Sequence, residues 1–252
     1  MKIGLISDLH ATLCALDAVL AALDDEGVQT ILCLGDIIDM GPSPNAVVAR
    51  LRERAIPCVV GNHDPLDEHP VFPLLAAVEG WTRDTLHDNH RDWLATLPRE
   101  RIAELDGARL LCVHGSPRAL DEGLTDAVSA ATLHAWLAGY DVDGLVAGHT
   151  HVQLVRRDGP HTFVNVGTTS QPFARPYDGK PPQVLPFCDY AIIDASADTI
   201  DHGQGARRVA RIDVSLRRLS FPFSAFAAEL RATSFPHQDA WLAQWARSSS
   251  PG

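Results

Sequence analysis

Seven side chains in this sequence have the chemistry to hold metal ions: Asp8, His10, Asp36, Asn62, His114, His149 and His151. Each stands where a short apolar run ends. Ile3–Ser7 runs into Asp8-Leu9-His10, Thr30–Leu34 into Gly35-Asp36, and Ile56–Val60 into Gly61-Asn62-His63-Asp64. Leu110–Val113 runs into His114-Gly115, and Gly144–Ala147 into Gly148-His149-Thr150-His151. Carboxylate oxygen and neutral imidazole nitrogen suit divalent Mn, Fe, Zn, Co or Ni. No cysteine joins the set, which argues against a structural zinc site. Seven ligands exceed one tetrahedral ion and suit two ions sharing a carboxylate. Along an extended chain, alternation places Asp8 and His10 on one side and pairs His149 with His151. A glycine precedes three of the clusters and lets the backbone turn sharply there.

The elements that must position these residues are legible as alternating patterns. Met1–Ser7, Thr30–Leu34 and Ile56–Val60 read as strands. Leu13–Glu26, closed by Gly27, and Asn45–Arg54 carry apolar residues at helical spacing. This β-α-β-α-β order predicts a parallel sheet with helices on both faces and right-handed crossovers. In such sheets, ligands bind at the carboxyl ends of the strands, where the polar clusters fall. Residues 66–108 read as a helical cap segment containing PVFPLLAAVEGW and DNHRDWLATLP. Arg109–Val113 and Gly144–Ala147 read as strands around a Ser129–Leu137 helix. Val152–Arg157, His161–Val166, Tyr190–Asp194 and Val209–Val214 then form a run of strands, predicting a second, mostly antiparallel sheet. Gln171–Pro186, with five prolines, reads as an exposed loop. The expected organisation is one α/β domain over 1–222 with a helical extension, 223–252, packed on it. Phe223–Trp245 is broken at Pro236 and offers either a dimer face or a layer over the second sheet. SSSPG should fray.

Composition bounds the function. Of 252 residues, 46% are hydrophobic and 21% charged, which excludes a disordered, collagenous or coiled-coil chain. No run of 18 apolar residues occurs, so no membrane helix is expected. MKIGLISD turns acidic too early for a secretory leader. The five cysteines form no CxxC pair and read as buried thiols of a reducing cytoplasm. A net charge of −11 lacks the basic face that tracks a nucleic-acid backbone. It also requires local cations before a phosphate can approach. His87, His90, His134, His161, His202 and His237 match no motif and read as surface or helix residues. The tryptophans read as core.

The ordered set DLH, GDIID, GNHD, VHG and GHTH, spread over Asp8–His151, resembles the calcineurin-like metallophosphoesterases. NVGTTSQP resembles that family's Asn-x-Gly-Ser/Thr stretch, so the likeness covers roughly two thirds of the chain. GPSPN and HGSP suggest the small bacterial phosphodiesterases and diadenosine tetraphosphatase-like members. The resemblance implies a four-layer α/β/β/α fold, a two-sheet β-sandwich flanked by helices. It places Asp8, His10, Asp36 and His151 on a first metal, and Asp36, Asn62, His114 and His149 on a second, with Asp36 bridging. Manganese is the first choice of ion. Two ions about 4 Å apart lower the pKa of water and present hydroxide in line with phosphorus. His63 would stabilise the transition state or protonate the leaving oxygen. Asp39 and Asp64 are both candidates to orient it, and the match to phosphoprotein phosphatases favours Asp39.

Two departures bear on substrate. Those phosphatases carry GDxxDRG, whereas this chain has Met40 in the arginine's place, which weakens a protein-phosphatase reading. Ala11-Thr12 stands where many subgroup members have Gly-Asn, and neither position is a ligand. Arg118 and Arg175 lie near the motif loops and are candidates, with Asn62 and His63, for binding substrate. The expected activity is hydrolysis of a phosphodiester or related small ester by direct attack, with inversion at phosphorus and no phosphoenzyme. The alternatives are a dinucleoside polyphosphate hydrolase or a phosphomonoesterase, including a protein serine/threonine phosphatase. A scaffold like retromer's metallophosphoesterase-like subunit is opposed by retention of every ligand and of His63.

Overall fold

The computed structural model describes residues 2–66, 72–180, 182–201 and 206–246. His202, Pro181 and the closing SSSPG lie outside them. In chain order the elements are β1 (Lys2–Ile6), α1 (Leu13–Asp25), β2 (Thr30–Cys33), α2 (Pro44–Glu53), α3 (Pro73–Thr85), α4 (Asp88–Leu94) and β3 (Glu100–Leu105). They continue with β4 (Ala108–Val113), α5 (Ala130–Leu137), β5 (Gly144–Ala147), β6 (Gln153–Asp158) and β7 (His161–Val166). The last are β8 (Phe187–Asp201), β9 (Ala206–Ser220), α6 (Phe223–Arg231) and α7 (Gln238–Ala246).

Strands alternate their side chains between two faces, and in the central strands β1, β4, β5 and β7 both faces are buried. Ile3 and Leu5 of β1, Leu32 of β2 and Ile193 of β8 point into one cluster with Leu110 and Cys112 of β4, Val146 of β5 and Val164 of β7. This is the seam between two sheets, ordered β2-β1-β8-β9 and β3-β4-β5-β7-β6. The intervening residues face outward: Ile31, Cys33, Tyr190 and Ile192 toward a helical layer, and Leu111, Val113, Leu145 and Phe163 toward α5. The result is a two-sheet sandwich flanked by helices. α1 buries Ala15, Leu16, Val19, Leu20 and Leu23 on the first sheet. It ends where Gly27 takes φ +69° and Val28 N–H returns to the Leu23 carbonyl at 2.9 Å.

Four expectations are corrected. Ile56–Val60 forms no strand, only a parallel bridge of Cys58 to Cys33. Pro57 offers a carbonyl to Cys33 N–H but has no N–H to extend a ladder. The 66–108 segment is not helical throughout, because ERIAEL forms β3, an edge strand antiparallel to β4. The later strands do not share one antiparallel sheet. β6 and β7 complete a mixed second sheet, whereas β8 and β9 join the first beside β1. The α6–α7 segment packs on the first sheet's helical layer, where Phe226, Leu230, Trp241 and Trp245 are buried with α1 residues. It does not cover the second sheet.

The five cysteines are free thiols, four buried and Cys14 half-buried. Gln171–Pro186 is exposed over 174–180 but buried at Gln171 and Pro172. Among the described residues no helix is long and apolar enough to cross a membrane.

Candidate metal centre

The polar clusters converge through left-handed backbone, not through extended alternation. Asp8, His10, Asp36, His149 and His151 have φ of 53°, 42°, 52°, 68° and 58°. Asp and His tolerate this region better than most residues, yet each such position costs free energy that the surroundings must offset. The backbone is extended in neither DLH nor GHTH: Asp8 and His10 still share one group as expected, but His149 and His151 turn into different groups. Of the preceding glycines, Gly35 has the positive φ, 93°. Gly61 and Gly148 serve close approach instead. A Cβ on Gly61 would overlap the Asp36 amide and carboxylate, and one on Gly148 would overlap Ser7 Oγ.

Asp8, His10 and His151 form one group whose ligand atoms lie within 4.8 Å of one another; Asp36, His114 and His149 form a second on the same criterion. In the first, His151 Nε2 is 3.2 Å from Asp8 Oδ1 and 3.0 Å from His10 Nε2. In the second, Asp36 Oδ2 is 3.2 Å from His114 Nε2. Asn62 Oδ1 is 2.9 Å from both His114 Nε2 and His149 Nδ1. Asp36 Oδ2 also lies 3.8 Å from His10 Nε2, so its carboxylate stands between the groups. All seven sequence-predicted ligands thus meet in one place.

The donor set fits cations. His114 Nδ1 donates to the Leu34 carbonyl at 2.7 Å, and His151 Nδ1 donates to the Gln171 carbonyl at 2.8 Å. In each neutral ring the lone pair then sits on Nε2. His114 Nε2 consequently faces two oxygen acceptors, and His151 Nε2 faces the Asp8 carboxylate. Among the described residues Asp8 Oδ1, which His151 Nε2 faces at 3.2 Å, is buried without a hydrogen-bond donor, and His10 Nε2 lies 3.0 Å from the same His151 nitrogen. Converging lone pairs of this kind are unfavourable until a proton or a metal ion joins them.

Protons compete for the same atoms. Burial pushes His10 down to about 3 and also lowers His149. Burial works against charge on His114, but Asp36 beside it outweighs that and lifts the group to about 9. Burial works to raise Asp36, yet His114 and His63 hold it well below the ordinary carboxylate range. His114 therefore stabilises the metal-free fold fully below about 6.5, a contribution lost as pH rises through about 9, whereas the contribution of Asp36 is present above the ordinary carboxylate range and is lost as pH falls below it. Metal loading at neutral pH should release about one proton, and apparent affinity should rise with pH until about 9. Calorimetry in buffers of different ionisation enthalpy measures this; heats independent of buffer would contradict it.

Beside the ligands, His63 Nδ1 is 2.9 Å from Asp39 Oδ2, with the imidazole 19% exposed and the carboxylate 4%. Thr82 of α3 directs its hydroxyl toward the other oxygen of Asp39 at 3.4 Å. Asp64 does something different. It accepts from the backbone N–H groups of Asp36, Ile37, Ile38 and Gly61 at 3.1, 2.8, 3.3 and 2.7 Å. It thereby ties the GDIID loop to the GNHD loop. Asp64→Ala would strand these amides and should cost on the order of 3 kcal/mol in urea unfolding. A loss under about 1 kcal/mol would show that the loops hold without it.

Residues 1–185 match the calcineurin-like phosphoesterase superfamily domain. The chain belongs to that superfamily. It is 32% identical over 123 residues to an uncharacterized protein of Methanocaldococcus jannaschii, covering 46% of this chain and 50% of that one. It is 32% identical over 129 residues to a symmetrical bis(5'-nucleosyl)-tetraphosphatase of Paracidovorax citrulli, covering 45% and 44%. The chain thus spans about half the length of these curated relatives. A metallophosphoesterase structure from Sphaerobacter thermophilus aligns at 26% identity and a TM-score of 0.69, covering 98% of this chain and 100% of that one. A hypothetical protein from Pyrococcus horikoshii shares the fold at 17% identity and a TM-score of 0.72, covering 94% and 95%.

The superfamily motifs do not account for the whole neighbourhood of the cluster. Arg118 pairs with Glu122 in a partly buried segment, and Arg175 pairs with Asp178 in an exposed one. Supports that sequence reasoning missed come from the loop after β7. Thr168 Oγ1 and Ser170 Oγ donate to the Asp8 carbonyl at 2.8 and 3.0 Å, and Phe173 stacks on His151. NVGTTSQP flagged this loop as a motif, but nothing in it told which ligands it holds. Of the unmatched histidines, His87, His134 and His237 are exposed, whereas His90 is buried against Asn45.

Proposed function

We propose that this chain hydrolyses a phosphodiester or related small phosphate ester with two divalent cations, manganese first among them. The carrying observation is the meeting of seven ligand side chains beside a His63–Asp39 pair. Asp8, His10, Asp36 and His151 would hold one ion, and Asp36, Asn62, His114 and His149 the other. Bound there, the ions supply Lewis acidity, lowering the pKa of water and neutralising phosphate charge. The chain's own residues do the rest. Asp39 fixes the His63 ring through Nδ1, and Nε2 would be the atom that gives a proton to the departing oxygen. Asn62 and His63 would contact the phosphoryl group. Arg118 and Arg175 would contribute by exchanging Glu122 and Asp178 for substrate oxygens. A small substrate accords with a chain of net charge −11, and a reducing cytoplasm accords with five free thiols.

One observation favours a second reading. The Paracidovorax relative is named a bis(5'-nucleosyl)-tetraphosphatase, so a dinucleoside polyphosphate is the alternative substrate. Met40 stands against a protein phosphatase, because its thioether cannot clamp phosphate as a guanidinium would. The deciding experiment is a panel of bis-aryl phosphate, mono-aryl phosphate and dinucleoside tetraphosphate with Mn²⁺, with and without chelator. The diester should give the highest kcat/KM, with inversion at a chiral phosphorus. Chelator-resistant turnover, or a phosphoryl group trapped on a side chain, would overturn the proposal.

A further inference from the structure

Among the described residues, the contacts of the stretch Thr168–Phe173 fall on the group of Asp8 and His151. Thr168 and Ser170 hold the Asp8 carbonyl. The Gln171 carbonyl takes the His151 Nδ1 proton at 2.8 Å, and Gln171 Nε2 donates to the Met40 carbonyl at 3.1 Å. Phe173 then lies on the His151 ring, centroids 4.4 Å apart and planes 28° from parallel, while its N–H donates to the His151 carbonyl at 2.9 Å. Support for the second group comes from the Leu34 carbonyl behind His114 and from Asn62 between His114 and His149.

These contacts restrain His151 in different ways. The bond to Gln171 fixes which nitrogen carries the proton and pins one edge of the ring. A ring pinned at one edge still swings about that bond, and the flat face of Phe173 opposes the swing. The restraint matters because His151 sits at φ 58°, a conformation its own backbone does not favour. His10 Nε2 and Asp8 Oδ1 meet only one orientation of that ring.

We propose that Phe173 is a positioning residue for the Asp8–His10–His151 group: its ring holds the His151 imidazole in the plane that cation binding requires. The loop it opens is drawn into the same equilibrium. Phe173 bridges Val184, and Ala174 N–H and Leu185 N–H close the neck on the Gln183 and Pro172 carbonyls at 3.0 and 2.7 Å. Occupancy of the first group should therefore steady the neck of the proline-rich loop. This inference rests on the two-cation reading above, and its test separates the two.

The test is zinc titration of the metal-free full chain by calorimetry, followed by amide hydrogen exchange. Wild type should bind two ions. Phe173→Leu keeps the apolar bulk but lacks the flat face, and should weaken one step by about tenfold while the other step is unchanged. Phe173→Tyr keeps the ring and should restore both steps. In wild type, zinc should slow exchange at Ala174 and Leu185, and in Phe173→Leu it should do so only at the higher zinc needed for the weakened step. The unchanged step reports that the variant is folded. Two unchanged steps in Phe173→Leu would overturn the proposal, as would equal weakening of both or failure of Phe173→Tyr to restore them. A wild type that binds one ion or none would instead defeat the two-cation reading.

Discussion

Asp36→Asn should remove both cation groups at once and lower kcat/KM by about 10³-fold or more. The expectation follows from where the carboxylate stands. Asp36 Oδ2 is 3.2 Å from His114 Nε2 and 3.8 Å from His10 Nε2, so its carboxylate stands between the two groups and would serve both in the proposed site. His10→Ala should disturb mainly the group with Asp8 and His151. Losing the Asp36 charge would take an anionic ligand from each proposed ion and would leave the His114 ring facing a neutral amide. The amide is nearly isosteric, so the fold should persist, with circular dichroism unchanged. A second consequence concerns protons. The lift of His114 to about 9 depends on Asp36, so the variant should release no proton on adding metal at neutral pH. Equilibrium dialysis against Mn²⁺ with elemental analysis gives occupancy, and bis-aryl phosphate turnover gives activity. A variant that retains two ions per chain, or stays within tenfold of wild-type activity, would remove Asp36 from the shared position.

The contrast between Asp36 and its neighbours shows what one dimension of sequence can carry. The strands were legible because Ile3, Leu5, Leu110 and Val146 belong to runs buried on both faces, and such runs leave a strong apolar signature. Each run ends at the same edge of the sandwich, so the polar residues that follow are brought together by topology. The edge strand β3 was not legible: ERIAEL exposes Glu100, Arg101 and Ile102, and its pattern reads as an irregular polar stretch. Ile56–Val60 has the apolar signature but lacks the Pro57 N–H, so pattern and ladder disagree. The division of His149 from His151 was hidden as well, because it depends on left-handed φ angles that no residue spacing encodes. Asp39 in GDIID and Asp64 in GNHD were both candidates in sequence to orient His63, and only the motif resemblance favoured Asp39. Geometry separates them by the chemistry of their partners: an imidazole for Asp39, four backbone amides for Asp64. Phe173 carried no signal, since a ring's value to its neighbour exists only in the folded contact.

His63→Ala should lower kcat by about 10²–10⁴-fold with little change in KM or bound metal. His63 Nδ1 faces Asp39, and the ring stands outside both groups of candidate ligands, so its loss should leave occupancy intact. The size of the defect should depend on the leaving group. An aryl oxide leaves without much help, because its conjugate acid is already acidic. An alkoxide needs a proton in the transition state. If His63 Nε2 supplies that proton, the variant's defect should deepen as the leaving group becomes more basic. A plot of log kcat against leaving-group pKa should be steeper for the variant than for wild type. If His63 only shields charge on the phosphoryl oxygens, the two plots should run parallel. Asp39→Asn separates the partners of the pair. It keeps a hydrogen-bond acceptor at Oδ1 but withdraws the charge that favours the imidazolium, so its defect should be smaller than that of His63→Ala and show the same leaving-group trend. Full activity in His63→Ala toward an alkyl ester would leave proton delivery to solvent and reduce the His63–Asp39 pair to a structural contact.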